Sequence, residues 1–380
     1  MTRPLVPSWP APALVGMRVE EVDTPALIVE MRALEHNLER MAAFAEQNGV
    51  RLRPHAKMHK CPALAALQIA LGAVGICCQK VSEAEAMVDG GVRDLLITNQ
   101  IVGPQKIARL ATLAGRARVG VCVDDAGNVR DLGAAARAGG VTLDAYVEID
   151  VGANRCGVAP GAPALALAHE IARQAGLRLA GLQAYQGRAQ HLRTPAEREA
   201  AIAHAVGLAR ATRDLIVADG LPCETITGGG TGTYMLEAGS GVYGELQAGS
   251  YAFMDVDYAS NQADAPFAHS LFVLTTVMSR GSGHAVVDAG LKAHSVDSGM
   301  PRVHADGSGL PVSGLDYRRP SDEHGMIFAS AGAVLPALGA RLRLIPGHID
   351  PTVNLHDWIV CVRDGMVEAL WPVSARGAMW

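Results

Sequence analysis

The chain has 380 residues, 49% of them hydrophobic and only 4% aromatic, and its formal charge of −5 is spread without a block of like charge. That length allows one large core or two smaller ones filled by Ala, Val, Leu and Gly, and the even charge leaves no footprint for nucleic acid or an anionic membrane surface. Seven cysteines without a Cys-x-x-Cys pair read as buried thiols of a reducing compartment. The proline-rich N-terminus has no secretory core, and no run reaches the roughly 18 apolar residues that span a bilayer, so a cytoplasmic protein acting on small molecules is expected.

From Thr24 onward, short β-rich runs alternate with amphipathic Ala/Leu-rich runs. Strands are predicted at 26–30, 51–55, 74–78, 94–99, 118–124, 144–150, 179–185 and 224–227. Helices are predicted at 33–47, 62–71, 82–90, 104–113, 126–137, 163–174 and 195–218. Ser82 with Glu85 has capping-box spacing, and Pro62, Pro104 and Pro163 suit a first helical turn. Eight strands separated by helices over roughly 200 residues is the pattern of a parallel (β/α)8 barrel, with a doubly wound open sheet as the alternative. Beyond residue 257 the pattern changes to strand-like runs at 270–278, 284–288, 341–346, 358–363 and 366–372. The predicted division is a barrel over 23–256 and a mostly β domain built from 1–22 and 257–380.

In a barrel, functional residues sit at the C-terminal ends of the strands. The unusual residues fall there: Lys57, Gln79, Asn99, Asp124, Asp150 to Arg155, Tyr185 with Gln186, and Gly228-Gly229-Gly230-Thr231-Gly232. Lys57 lies in Arg53-Pro54-His55-Ala56-Lys57-Met58-His59-Lys60. Burial at a strand end beside other basic groups lowers an ammonium's pKa and makes lysine a nucleophile toward carbonyls; four solvated basic side chains are the plainer alternative. The glycine run can aim successive backbone N–H groups at a phosphate, with the Thr231 hydroxyl and the Gly249-Ser250-Tyr251 stretch adding donors, although such runs also make ordinary turns. In the β domain, His348 and Asp350 at i and i+2 of an extended segment would present an imidazole nitrogen and a carboxylate to one hard cation, with positions left for water or substrate. A turn carrying a surface histidine is the alternative there.

Together with Asp23-Thr24-Pro25, the stretch 75–83, Arg155-Cys156-Gly157-Val158, Gln183-Ala184-Tyr185, the stretch 245–255, Asp288-Ala289-Gly290-Leu291-Lys292, Asp322-Glu323-His324-Gly325 and Ser374-Ala375-Arg376-Gly377, these motifs resemble, in order, the fold-type III pyridoxal-phosphate enzymes of the D-threonine aldolase and D-serine dehydratase group. The stretches 288–299, 348–358 and 371–377 also resemble 3-hydroxy-D-aspartate aldolases. The resemblance implies an alanine racemase-type (β/α)8 barrel binding pyridoxal 5'-phosphate (PLP), a C-terminal mostly β domain, and a head-to-tail homodimer. It implies Lys57 as the Schiff-base lysine; Gln79, Gly230, Thr231, Gly249, Ser250 and Tyr251 as cofactor-holding positions; Arg155 facing the pyridine nitrogen; and Tyr185 on the pocket wall. It implies one Mn2+ or Mg2+ per subunit on His348 and Asp350, a pair that matches the aldolases, since the eukaryotic-type D-serine dehydratases pair histidine with cysteine and favour zinc. The implied reaction is retro-aldol cleavage of a β-hydroxy-D-amino acid to glycine and an aldehyde, with Lys57, His55 or His59 returning a proton to Cα. Dehydration of D-serine or D-3-hydroxyaspartate, metal-free racemisation and a non-catalytic PLP carrier are the alternatives.

Overall fold

Strand and helix alternate through the described residues, 9–262 and 266–380, of the computed structural model. The first part runs β1 (Ala26–Glu30), α1 (Met31–Gln47), β2 (Arg51–Leu52), α2 (Pro62–Ala70), β3 (Ile76–Cys78), α3 (Val81–Asp89), β4 (Asp94–Gln100), α4 (Pro104–Ala114) and β5 (Arg118–Val123). It continues with α5 (Ala126–Ala138), β6 (Leu143–Glu148), α6 (Ala162–Ala172), β7 (Leu177–Gln183), α7 (Pro195–Ala218), β8 (Thr225–Gly228), α8 (Tyr234–Gly239), β9 (Glu245–Leu246) and α9 (Val256–Ala259). The seven predicted helices are all present. Their starts have local causes: Asp125 accepts the Asn128 N–H ahead of α5, and Thr194 and Glu197 form a reciprocal capping box ahead of α7. Ser82 and Glu85 do not form one. Helix α3 starts at Val81 with Lys80 as N-cap, the Ser82 hydroxyl is taken by the carbonyl of Trp380, and Glu85 pairs with Arg109.

The barrel has eight parallel strands in the order β2-β9-β8-β7-β6-β5-β4-β3. The seam between β2 and β3 is joined by Val74 N–H to Leu52 O at 2.9 Å, Cys77 N–H to Pro54 O at 2.8 Å, and a parallel bridge between His55 and Cys77. Strand β1, predicted as the first barrel strand, is not part of it. It sits in the second sheet, antiparallel to β10 (Leu271–Arg280) and parallel to β16 (Trp358–Arg363), with Leu27 opposite both Val273 and Ile359. The eighth barrel strand is instead the two-residue β9, paired with Arg51 and Leu52 on one side and with Thr227 and Gly228 on the other.

The second sheet has nine strands. Besides β1, β10 and β16 it contains β11 (Ala285–Val287), β12 (Arg302–Asp306), β13 (Leu315–Arg318), β14 (Gly325–Ala329), β15 (Arg341–Ile345) and β17 (Met366–Pro372). Strands β12 to β14 are additions to the predicted set. One short helix, α10 (Ile349–Val353), interrupts the sheet domain between β15 and β16. Val19 and Val22 pack with Ile28, Phe272 and Val360, so the part of the N-terminal segment that is described belongs to this sheet's core; residues 1–8 of the predicted 1–22 segment lie outside the described residues. All seven cysteines are thiols, and no helix among the described residues is long and apolar enough to cross a membrane.

Candidate active site at the barrel mouth

A cleft of about 360 Å³ opens at the C-terminal ends of the barrel strands. Lys57 enters it from a 3₁₀ turn (Ala56–Met58) just past β2, Gln79 from the end of β3, Arg155 from the loop after β6, and Tyr185 from the end of β7. Gly230 and Thr231 come from the loop after β8, and Gly249 and Ser250 from the one after β9. Because β1 is outside the barrel, those two loops follow its seventh and eighth strands, where phosphate sites recur in this fold. His348 and Asp350 reach the same cleft from the second sheet domain. Asn99, Asp124, Asp150 and Gln186, expected at the mouth, do not line the cleft, and of the predicted cofactor-holding residues Tyr251 is set behind its wall. Its ring is buried, its hydroxyl accepts from Gln68 at 3.2 Å, and its N–H donates to Thr231 Oγ1 at 3.0 Å.

The extended His348-x-Asp350 segment expected from the sequence is the start of helix α10, with His348 at the N-cap. Pro351 falls in the first helical turn, where a missing N–H costs nothing, and is the sequence signal that marks this helix. The Asp255 carboxylate accepts the N–H of Tyr258 at 2.9 Å and of Ile349 at 3.1 Å, fastening α10 to the end of the barrel segment. Asp350 Oδ2 then lies 3.4 Å from Lys57 Nζ. The Asp350 charge holds the Lys57 ammonium above its ordinary pKa against the opposing effect of burial, so the lowering expected from the sequence is reversed. A carboxylate only accepts, so His348 Nδ1, 2.7 Å from Asp297 Oδ2, carries its proton and leaves the Nε2 lone pair available.

The Lys57 backbone N–H donates to His55 Nδ1 at 3.3 Å, and His55 Nε2 lies 3.0 Å from Thr98 Oγ1 and 2.9 Å from Gln79 Nε2. Burial pushes His55 well below the usual histidine pKa, with Lys57 adding to the effect. His59 is fully buried behind the cleft, accepts the Cys61 N–H at 3.0 Å, and is pushed down to about 3 by burial.

Sequence reasoning did not single out Arg188, His191, Tyr258 or Asp297, although the first three line the cleft and the fourth orients His348. His191 Nδ1 meets the buried Asp257 at 2.6 Å, from 66 residues away in sequence, and no local motif announces such a pair. Close packing against neighbouring residues accounts for glycine at Gly228 and Gly230. A Cβ at Gly228 would lie 2.6 Å from Ala184 O, and one at Gly230 would lie 2.4 Å from Gln190 Oε1. An amine, a backbone anion cradle and a cation, Arg155, set 5.7 Å from the Tyr185 ring centre fit a phosphate-bearing aldehyde such as pyridoxal 5'-phosphate. Among the described residues no group of three or more His, Cys, Asp or Glu that could hold a metal converges; a cation on His348 and Asp350 would need water or substrate to complete its ligand set.

Residues 29–257 match the family described as alanine racemase, N-terminal domain, and residues 270–362 the family described as putative serine dehydratase domain. A D-threonine aldolase from Arthrobacter sp is 49% identical over 371 residues, covering 97% of this chain and 96% of that protein. A 3-hydroxy-D-aspartate aldolase from Paracoccus denitrificans (strain Pd 1222) is 47% identical over 376 residues, covering 96% of this chain and 95% of that protein. The crystal structure of D-threonine aldolase from Filomicrobium marinum superposes with a TM-score of 0.95 at 51% identity, covering 98% of this chain and 100% of that one.

Proposed function

From the premise that this chain belongs to the family of D-threonine aldolase and 3-hydroxy-D-aspartate aldolase, lyases of the fold-type III PLP class, we propose that it cleaves the Cα–Cβ bond of β-hydroxy-D-amino acids at the Lys57 cleft, giving glycine and an aldehyde. The observation that carries the reading is the 3.4 Å approach of Lys57 Nζ to Asp350, which brings an amine from the barrel and a cation ligand from the sheet domain to one space. Lys57 would bind the cofactor's aldehyde carbon, and the Gly230-Thr231 and Gly249-Ser250 loops its phosphate, with Tyr251 supporting Thr231 from behind. Gln79 and Tyr185 would wall the ring. When bound, pyridoxal phosphate supplies the sink for the electron pair left on Cα. Arg155 would face the ring nitrogen and, being cationic, disfavour its protonation. His348 and Asp350 would hold one Mn2+ or Mg2+, which lowers the pKa of the substrate's β-hydroxyl. Lys57 would then return the proton to Cα, with His59 lying outside the cleft lining.

In this reading the catalytic barrel is drawn from 23–256 and the metal-bearing domain from 1–22 with 257–380, β1 being the strand that the 23–256 segment lends to the second sheet. The protein works in the cytoplasm as a homodimer, as the resemblance to the fold-type III enzymes implies. Product analysis tests the activity. Glycine with acetaldehyde from D-threonine, or with glyoxylate from D-3-hydroxyaspartate, is expected; ammonia with a keto acid would move the protein to the dehydratases.

A further inference from the structure

The cleft is lined by one cation, Arg188, that the proposed chemistry does not use. Lys57 and Arg155 have cofactor roles, and the phosphate cradle is made of backbone and hydroxyl groups, yet Arg188 and His191 also line the mouth. They are the first and last residues of one 3₁₀ turn, Arg188–His191. At three residues per turn, positions i and i+3 eclipse, so both side chains stand on one face. The residues between them are the turn's anchors. Ala189 is fully buried, and the buried Gln190 amide donates to Thr233 Oγ1 at 2.8 Å and accepts the Gly232 N–H at 2.9 Å, bolting the turn to the phosphate loop. His191 Nδ1 is fixed on Asp257 at 2.6 Å, and Asp257 is held in turn by Arg193. Arg188 has no carboxylate partner among the described residues, and Asp350 is the one carboxylate in the lining.

We propose that Arg188 binds a carboxylate carried on the substrate's Cβ, making β-carboxylated β-hydroxy-D-amino acids the preferred substrates of this chain over D-threonine. The inference rests on the retro-aldol reading. The Cα–Cβ bond breaks, the β-hydroxyl loses its proton as its carbon becomes the aldehyde, Cα gains a proton, and the bound carboxylate leaves within glyoxylate. A guanidinium suits this task because it meets a carboxylate with two parallel N–H donors, and an uncharged methyl group gains nothing from it.

The test measures kcat/KM of the holoenzyme for D-3-hydroxyaspartate and D-threonine, in wild type, Arg188→Met and Arg188→Lys. In parallel, the change in cofactor absorbance is titrated with D-aspartate and D-2-aminobutyrate, which lack the β-hydroxyl. Arg188→Met is expected to lose about 10- to 100-fold on D-3-hydroxyaspartate, mainly through KM, and to weaken D-aspartate binding to the same degree. D-threonine and D-2-aminobutyrate should stay within about threefold, with Arg188→Lys intermediate. Equal losses on both substrates would assign Arg188 to the α-carboxylate and overturn the proposal, as would no loss on either. If wild type releases no aldehyde from either substrate, the aldolase reading fails, and the D-aspartate to D-2-aminobutyrate binding ratio still decides the role of Arg188.

Discussion

Lys57 and Asp350 face each other as an ion pair, and every residue-level expectation for catalysis follows from that contact. Lys57→Ala should lose the cofactor's aldehyde-derived absorbance band and at least about a thousandfold in kcat/KM; a variant that keeps the covalent absorbance would remove Lys57 from its role. Asp297 acts one bond further out, by holding the proton on His348 Nδ1. Asp297→Ala is expected to weaken Mn2+ activation by about 10- to 100-fold with little change in cofactor binding, as read from Mn2+ titrations of the holoenzyme. Away from the chemistry, Glu237 accepts from Thr233 Oγ1 at 2.8 Å but has a buried Oε2 without a partner among the described residues, and burial pushes its carboxyl up to about 7. The folded protein therefore keeps a proton that the unfolded chain has already lost. The stability this group contributes is fully present below its unfolded pKa and is lost as pH rises toward 7, at up to about 1.4 kcal/mol per unit. Glu237→Gln should flatten that slope and be the more stable protein at pH 7.5. Urea midpoints at pH 5 and pH 7.5 that shift in parallel for the two proteins would contradict this.

At the scale of elements, legibility tracked length and periodicity. The helices α1 to α7 were readable because their apolar positions recur with the helical period and proline marks several starts. Strand β1 was readable as a strand but not as a member of a particular sheet, since Ala26, Leu27, Ile28 and Val29 are buried all the same in either one. Strand β9 was unreadable because two residues carry no alternation, and strands β12 to β14 because their exposed and half-buried positions dilute the pattern. The consequence for the site was small, since the phosphate loops moved from one barrel strand to its neighbour while their residues stayed the same. The short β9 is secured by charge. Buried Arg53, at the end of β2, bonds Glu245 of β9 at 3.0 Å and Asp94 of β4 at 2.6 Å. Arg53→Met should destabilise the fold by roughly 3 kcal/mol, the low end for breaking a buried pair, because Arg51 still faces Glu245 at 3.4 Å. A loss below about 1 kcal/mol in denaturant titrations would show that the seam does not depend on this network.

For the whole molecule, the site exists only where the two sheets meet. The barrel alone carries the amine, the anion cradle and Arg155; the nine-stranded sheet carries His348, Asp350 and Asp297, and β1 threads the first segment of the chain through its centre. The candidate residues were legible because each lies in a motif, whereas their convergence was not, since Lys57 and Asp350 are 293 positions apart in sequence and only the fold brings them to 3.4 Å. The most direct measurement is glycine and aldehyde release from D-threonine and D-3-hydroxyaspartate after chelation, with and without added Mn2+, in wild type and Asp350→Ala. Metal-dependent release in wild type that Mn2+ does not restore in the variant is the expected result. Release that survives chelation, or that the variant retains, would contradict a reaction shared between Lys57 and a cation on Asp350.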